Sequence, residues 1–224
     1  MIDVALLDTG ISLNRFDNVN FLAENINLSD PEQVRPDTIR DNVMTHGTIC
    51  ASIIKTYAPQ VRLHSFNIFT FGLTNLESIR KAIEICIRQN IKVINLSFGT
   101  NVRKEDIDVR KVIEEAYQKG IIMVAPTNNE GIVTYPAFYK NVLSVGVNNS
   151  LDLSGDEIAI NKNPKSIINV FACGAQKLYK NNTIYTTENE PSYATAVVTA
   201  VVCNCLSGLE KRYNIKDILN LIVD

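Results

Sequence analysis

Short apolar runs alternate with longer segments along most of the chain. Six runs have the length of strands and are predicted to be strands: residues 2–7, 61–69, 91–98, 121–125, 142–147 and 167–172. Four segments have the length and apolar content of helices and are predicted to be helices: residues 47–57, 76–89, 104–119 and 215–222. The predicted strands are apolar at consecutive positions, which is typical of a parallel sheet covered on both faces. The pattern predicts an α/β fold, a doubly wound and mostly parallel sheet with helices on both faces, in a single domain over residues 1–224.

One long segment carries no charge at all. It runs from Pro191 to Gly208 and begins Pro-Ser-Tyr-Ala-Thr-Ala-Val-Val. Its length favours a helix, and a helix that is apolar on every side is expected in the interior of a protein. Pro191 suits the first helical position, so Ser192 is placed at the positive end of the helix dipole. Taken alone, Ser192 is either a capping residue or a nucleophile.

The connecting segments are polar. Residues 14–45 contain Pro31 and Pro36 and are expected to be a surface excursion with a short helix around residues 31–35. Residues 148–166 and 173–190 are predicted to be loops, with a hairpin around Asn181-Asn182.

The composition and charge of the chain exclude some classes of binding partner. The chain is 46% hydrophobic and 21% charged, with a net charge of −2 and no long basic block, so nucleic acid is not expected as a partner. The longest uncharged stretch, which starts at Pro191, is shorter than the roughly 20 predominantly apolar residues of a typical transmembrane helix, so no membrane is expected as a partner either. Neither a signal peptide nor a pro-segment is expected from the N-terminal residues, and the five cysteines are expected to be buried free thiols in a reducing compartment. These features predict a cytoplasmic protein.

Several reactive side chains are predicted to meet at one edge of the sheet. Asp8 follows the first strand, and an Asn-Asn pair at 128–129 follows a later one. His46 and Ser192 each precede an apolar helical segment. In such sheets, sites lie beyond the carboxyl ends of the strands. An Asp, a His and a Ser together suit nucleophilic acyl transfer, in which Ser192 attacks, His46 accepts its proton and Asp8 orients the imidazole. An asparagine side chain and a backbone N–H can stabilise the oxyanion.

These segments, taken together and in this order, resemble the subtilisin-like serine peptidases. The matching segments are Val4–Gly10, His46-Gly47-Thr48, Val93–Gly99, Val124–Gly131, Tyr135-Pro136, Val142–Ser150 and Pro191–Ala194. The order Asp, His, Asn, Ser is the order found in subtilisin. The resemblance implies a subtilisin-like fold and a catalytic triad of Asp8, His46 and Ser192.

The same resemblance implies the other parts of the site. It assigns Asn129 to the oxyanion and Ser97, Phe98 and Gly99 to substrate binding. A peptide or protein substrate is expected to bind there as an added extended strand. Neither a cofactor nor a metal is needed for the chemistry.

The chain departs from the family pattern beside the nucleophile. Glu190-Pro191 replaces the usual Gly-Thr before Ser192, while Ala196 and Val197 replace the usual proline and histidine after it. Glycine there allows close approach of the substrate backbone, and Glu190 adds bulk and charge. These departures leave the activity of the site open. The sequence is also shorter than secreted members of the family, which leaves their calcium sites open as well.

Three functions follow from these observations. The first is an intracellular serine endopeptidase that processes a specific peptide, for example by leader removal. Ala196 adds the hypothesis that less crowding beside the nucleophile favours aminolysis, and so ligation or cyclisation. The second is a catalytically impaired relative that binds peptides. The third is an aspartic peptidase, suggested by Asp8-Thr9-Gly10, but this class needs a second aspartate and an all-β fold.

Overall fold

The structure is a computed structural model. It describes residues 1–11, 23–26, 34–35, 45–70, 73–100, 107–128, 133–209 and 213–223. The strands are β1 (Asp3–Asp8), β2 (Ala23–Ile26), β3 (Val34–Arg35), β4 (Arg62–Asn67), β5 (Phe69–Thr70), β6 (Leu73–Thr74), β7 (Val93–Leu96), β8 (Ile122–Pro126), β9 (Leu143–Gly146), β10 (Ile158–Ile160), β11 (Val170–Ala172), β12 (Lys177–Lys180) and β13 (Thr183–Thr186). The helices are α1 (His46–Tyr57), α2 (Leu76–Arg88), α3 (Ile107–Gln118), α4 (Pro191–Leu206) and α5 (Ile215–Val223).

A mostly parallel sheet forms the centre of the fold. Within the described residues it has nine strands in the order β10-β11-β9-β8-β7-β1-β4-β2-β3. The strands from β11 to β2 in this order run parallel, and an antiparallel strand pairs at each end. The carboxyl ends of β1, β7 and β8 therefore lie at the same edge of the sheet.

Helices cover both faces of this sheet. One core cluster joins residues of α1, α4 and α5 to the sheet, and the other joins residues of α2 and α3 to the opposite face. In β1, Val4 and Leu6 belong to the first cluster while Ala5 and Leu7 belong to the second, and all four side chains are fully buried. Successive side chains of a strand point to opposite faces, so a strand buried on both sides has a nearly continuous run of apolar residues. The predicted α/β architecture is confirmed.

Several predicted elements occur close to their expected bounds, but the polar segments hold additional strands. The hairpin around Asn181-Asn182 is formed by β12 and β13. The described residues between 14 and 45 include β2, which pairs with β4 in the central sheet, rather than only surface loop. The expected helix around residues 31–35 is wrong at Val34 and Arg35, which form β3; residues 31–33 lie outside the described part.

The strands near the sheet margins lack either the apolar character or the length of the run that marks an inner strand. The β2 sequence is Ala-Glu-Asn-Ile, and β10 is only three residues long. Their backbone hydrogen bonds to a neighbouring strand define them, and single-sequence periodicity does not detect such pairing. Among the described residues, no helix combines the length and apolar character needed to cross a membrane.

Helix α4 lies against the middle of the sheet and is buried along most of its length. A hydrogen bond within the core joins it to β7: the Thr199 hydroxyl donates to Asn95 Oδ1 at 2.8 Å, and both residues are fully buried. The Asn95 side-chain amide donates in turn to Ser97 Oγ at 2.6 Å. This polar link fixes α4 against the strand that leads to the sheet edge.

Replacing Thr199 by valine should destabilise the fold. The substitution preserves the side-chain shape but leaves the buried Asn95 oxygen without its donor, which costs about 1–3 kcal/mol of unfolding free energy. Urea unfolding followed by circular dichroism measures this. Thr56→Val is the matched control, because Thr56 is exposed and its hydroxyl bonds only within its own helix; it should change stability by less than about 0.5 kcal/mol. Equal stabilities for the two variants would contradict the role given to this hydrogen bond.

Candidate active site

Asp8 is the last residue of β1, and its side chain is 1% exposed. The backbone N–H of Thr9 donates to Asp8 Oδ1 at 2.6 Å. The two carboxylate oxygens lie 3.0 and 2.9 Å from His46 Nδ1. A buried charge is costly unless it is paired and hydrogen-bonded, and both conditions are met here.

His46 is the first residue of α1, and the start of this helix is fastened to the turn after β1. The Thr45 hydroxyl donates to the Gly10 carbonyl at 2.8 Å, and the Gly47 N–H donates to the Thr9 hydroxyl at 3.0 Å. A Cβ atom on residue 47 would lie 2.5 Å from the Gly10 oxygen, so only glycine permits this approach. The Gly47 of the sequence motif therefore places the imidazole beside Asp8.

Ser192 comes from a distant part of the chain. It follows Pro191 in the first turn of α4, and its Oγ lies 3.0 Å from His46 Nε2. The structure thus joins Ser192, His46 and Asp8 in one continuous chain of hydrogen-bonding contacts. Such an arrangement can transfer a proton from the serine hydroxyl to the imidazole while a carboxylate stabilises the resulting positive charge.

Opposing effects act on the protonation of His46. Burial of the ring lowers its pKa, whereas Cys50 and the hydrogen bond and charge of Asp8 raise it, and the net direction is upward. Burial also raises the pKa of the Cys50 thiol, so this thiol is neutral at neutral pH and exerts little charge on the ring. Asp8 is therefore the partner that favours the protonated imidazole.

Two neighbours of His46 were not singled out by the sequence analysis. The Tyr193 ring stacks on the imidazole with a centroid separation of 5.1 Å and an interplanar angle of 27°. Cys50 lies one helical turn after His46, and its sulfur is 3.7 Å from Nδ1 and 4.0 Å from Nε2. The i,i+4 spacing on one helix face was the signal available in the sequence for Cys50. The position of Tyr193 depends on how α4 packs against α1, which no local pattern gives.

The segment Ser97-Phe98-Gly99 follows β7 at the same edge of the sheet. The Ser97 and Phe98 side chains are 9% and 8% exposed, while Gly99 is exposed. Thr100, the next residue, exchanges backbone hydrogen bonds with Tyr135 at 3.0 Å in each direction.

An apolar cavity of about 250 Å³ opens beside this segment. Its walls include Phe69, Ile79, Phe98, Val109 and Tyr139. The cavity gives the Phe98-Gly99 segment an apolar recess next to it, large enough to hold a substantial side chain.

The remaining predicted site residue is Asn129, which lies outside the described residues. Its assignment to the oxyanion stays a prediction. The described chain reaches Asn128, just after the carboxyl end of β8. His64 is the second histidine, and its Nε2 lies 2.8 Å from Asp3 Oδ1. Asp3 and Asp8 are at opposite ends of β1.

The replacement Glu190-Pro191 is compatible with the position of Ser192. Glu190 is the residue before α4, with extended backbone angles, and its carbonyl accepts from the Ala194 N–H at 3.1 Å. Proline at the first helical position loses no intrahelical hydrogen bond. Gly174 packs against the Glu190 backbone, where an added Cβ would lie 2.3 Å from the Glu190 oxygen. This contact holds the start of the helix in place without the usual Gly-Thr pair.

Comparison with known proteins finds a family model that matches nearly the whole chain and individual relatives that match about two thirds of it. The model of the Subtilase family, Peptidase_S8, matches residues 2–224. The minor extracellular protease Epr of Bacillus subtilis is 26% identical over an alignment of 176 positions, which covers 70% of this chain and 26% of that protein. The major intracellular serine protease of the same organism is 27% identical over an alignment of 164 positions, which covers 65% of this chain and 50% of that protein. The chain thus spans a half or less of the length of these relatives.

Solved structures with the same fold cover almost all of the chain. A lanthipeptide protease aligns with a TM-score of 0.71 and 19% identity, over 98% of this chain and 78% of that one. The prenylagaramide maturation protease PagA aligns with a TM-score of 0.71 and 21% identity, over 99% and 81%. At these identities the likeness is one of fold.

Replacing Asp8 by asparagine should lower the pKa of His46. The amide keeps the shape and an oxygen for the Nδ1–H group but removes the negative charge that favours the imidazolium, so the pKa should fall by about 1–3 pH units. An NMR titration of the histidine ring resonances measures this pKa, and the chain has two histidines whose resonances must be assigned. Asp3→Asn alters the contact of the other histidine and should leave the His46 pKa unchanged. An unchanged His46 pKa in Asp8→Asn would show that the carboxylate does not control the ring.

Proposed function

The chain belongs to the Subtilase family, and we propose that it is a serine endopeptidase that cleaves a specific peptide through an acyl-enzyme. The observation that carries the proposal is the chain of contacts from Ser192 Oγ through His46 to the buried Asp8, with distances of 3.0 and 2.9 Å. Nucleophile, base and orienting carboxylate are thus within hydrogen-bonding reach of one another, as the triad mechanism requires.

Each member of the triad has a role set by its contacts. His46 acts as a base in its neutral form, which the imidazolium reaches by losing the Nε2 proton. In this form Asp8 accepts from Nδ1–H and the lone pair of Nε2 is directed at Ser192. Ser192 Oγ attacks the scissile carbonyl as His46 accepts its proton, and His46 then protonates the leaving amine. Asp8 stabilises the imidazolium formed between these steps. The acyl-enzyme is then hydrolysed by water through the same groups.

The oxyanion is stabilised by two donors in this proposal. The N–H of Ser192 lies in the first turn of α4, where backbone donors have no partner within the helix and the dipole favours negative charge. Asn129, which follows β8 in the sequence, supplies the second donor from its side-chain amide.

The substrate binds as an extended strand along Ser97-Phe98-Gly99. Because the side chains of Ser97 and Phe98 are buried, the surface of this segment is mainly backbone, which suits pairing with a peptide of varied sequence. Specificity then comes from pockets beside the strand. The apolar cavity next to Phe98 is proposed to receive an apolar side chain of the substrate.

The physiological role proposed is maturation of a peptide inside the cell. All five cysteines are free thiols, a state typical of a reducing compartment. Two proteins with the same fold are a lanthipeptide protease and a prenylagaramide maturation protease, which supports the comparison with peptide processing. Broad cleavage in a proteome-wide digest would contradict a narrow substrate.

A second candidate is a peptide-binding protein without catalytic activity. The observation in its favour is Glu190, whose carboxyl group lies close in sequence to Ser192 and opposes a developing oxyanion. The two candidates share the substrate-binding strand and differ in whether Ser192 is activated.

A fluorophosphonate probe distinguishes the two. We expect a single covalent label on the purified protein by mass spectrometry and none on Ser192→Ala, since only an activated serine displaces the leaving group of the probe. Ser207→Ala is the matched control, because Ser207 caps the far end of the same helix, and it should label at the unaltered rate. Absence of label on a folded protein that still binds peptides would overturn the peptidase and favour the binding protein.

Filling the apolar cavity should change substrate preference. Val109 lines this cavity, and Val109→Phe places a larger ring in it. For paired peptides that differ only in carrying leucine or alanine at the residue bound there, kcat/KM for the leucine peptide should fall by about 10–200-fold relative to the alanine peptide. The alanine peptide is the internal control for folding and chemistry. An unchanged ratio would remove the cavity from the substrate site.

A further inference from the structure

Three side chains with metal-binding atoms meet on the inner side of His46. A carboxylate oxygen of Asp8, a ring nitrogen of His46 and the sulfur of Cys50 all lie within 4.8 Å of one another. Carboxylate, imidazole and thiolate are the three ligand types that zinc takes from proteins. We propose that these residues form an inhibitory Zn²⁺ site, in which the metal and the triad compete for the same imidazole. The inhibitory role rests on the proposed peptidase function, whereas the metal site does not.

Two of the three donor spacings are close to those around a zinc ion, and the third, between the Asp8 oxygen and the Cys50 sulfur, is at most 4.8 Å. Tetrahedral zinc with ordinary bond lengths separates N and O ligands by about 3.4 Å and N and S ligands by about 3.6 Å. His46 Nδ1 lies 2.9 Å from Asp8 Oδ2 and 3.7 Å from Cys50 Sγ. The N–O pair needs to open by about half an ångström, which is a small change for two side chains. Three protein ligands leave a fourth position for water.

Cys50 has no part in the proposed catalytic steps, yet its position is unusual for a structural thiol. Its sulfur is fully buried and contacts both nitrogens of the ring that the reaction needs. The other fully buried thiols, Cys86 and Cys203, are not part of this group of donors. The imidazole is 29% exposed while Asp8 is 1% exposed and Cys50 is fully buried, so His46 is the one of the three ligands that solvent reaches.

Metal binding at Nδ1 changes the tautomer of His46. The ion takes the place of the Nδ1 proton, which moves to Nε2, and the Cys50 thiol releases its proton to solvent as the sulfur–metal bond forms. Starting from the neutral imidazole, the net reaction consumes one Zn²⁺ and releases one H⁺; starting from the imidazolium it releases two, and neither route changes an oxidation state. Nε2 then carries a hydrogen and donates to Ser192 Oγ rather than accepting its proton. The nucleophile loses its base, although all three triad residues remain in place.

Cobalt provides a readout that does not depend on activity. Metal-free, reduced protein is titrated with Co²⁺, and a sulfur-to-metal charge-transfer band in the near ultraviolet is expected from a thiolate ligand. Zn²⁺ should displace the cobalt and abolish the band. Cys50→Ala should lose the band and bind Zn²⁺ at least about 10–100-fold more weakly, the range seen when only an outer-shell partner is lost. Cys86→Ala, which removes another buried thiol, should behave like the unaltered protein.

Inhibition is measured in parallel as the rate of fluorophosphonate labelling in buffered Zn²⁺. Each variant is compared with its own metal-free rate, and thermal unfolding checks that Cys50→Ala and Cys50→Ser are folded. We expect zinc to slow labelling of the unaltered protein and a chelator to restore it. Both Cys50 variants should need a higher zinc concentration for the same slowing, by the factor by which their zinc binding is weakened.

The outcomes separate the metal site from the peptidase. Absence of the charge-transfer band in folded protein, or equal zinc sensitivity of Cys50→Ala and the unaltered protein, would overturn the site and leave His46 alone as the zinc ligand. A cobalt band in a protein that the probe does not label would support the metal site and contradict the peptidase.

Discussion

The contact between the Asp8 carboxylate and the His46 imidazole is the constraint on which the rest of the site depends. A carboxylate that is 1% exposed is stable only with its hydrogen bonds made, and here the Thr9 N–H and the imidazole make them. To keep the ring in place, the start of α1 is tied to the turn after β1 through Thr45 and Gly47. The need to keep this buried charge paired thus explains the contacts of Thr9, Thr45 and Gly47, which hold the start of α1 next to β1.

The burial of α4 supplies the remaining member of the site. Helix α4 crosses the middle of the sheet, packs against α1 and is joined to β7 through Thr199 and Asn95. Its first turn then delivers Ser192 to His46, although the two are 146 residues apart in the chain. A core packed at crystal-like density moves little, which keeps such a contact within reacting distance. A helix with the composition of a core helix therefore sets the geometry of the nucleophile.

The His46 ring has close neighbours besides Asp8 and Ser192. Tyr193 stacks on one side of the imidazole, and the Cys50 sulfur contacts its nitrogens. The Glu190-Pro191 pair starts α4 by backbone geometry and by the close packing of Gly174. The His46 imidazole therefore contacts a hydroxyl, a carboxylate, an aromatic ring and a thiol. Whether it serves as a base depends on which tautomer these neighbours favour, so the same contacts that suit catalysis also provide a place for a metal ion.

The sequence by itself determined the α/β class, the inner strands and the helices, because strands buried on both faces and helices that cover them leave strong local patterns of apolar residues. It also determined which residues to consider for the site, since Asp8, His46 and Ser192 stand in recognisable motifs. Only the tertiary structure decided what does not leave a local pattern: the pairing of the polar strand β2, the strand β3 at Val34-Arg35, and the stacking of Tyr193 on the imidazole. Pairing and packing join atoms distant in sequence, and their free energy depends on the partner as much as on the residue itself.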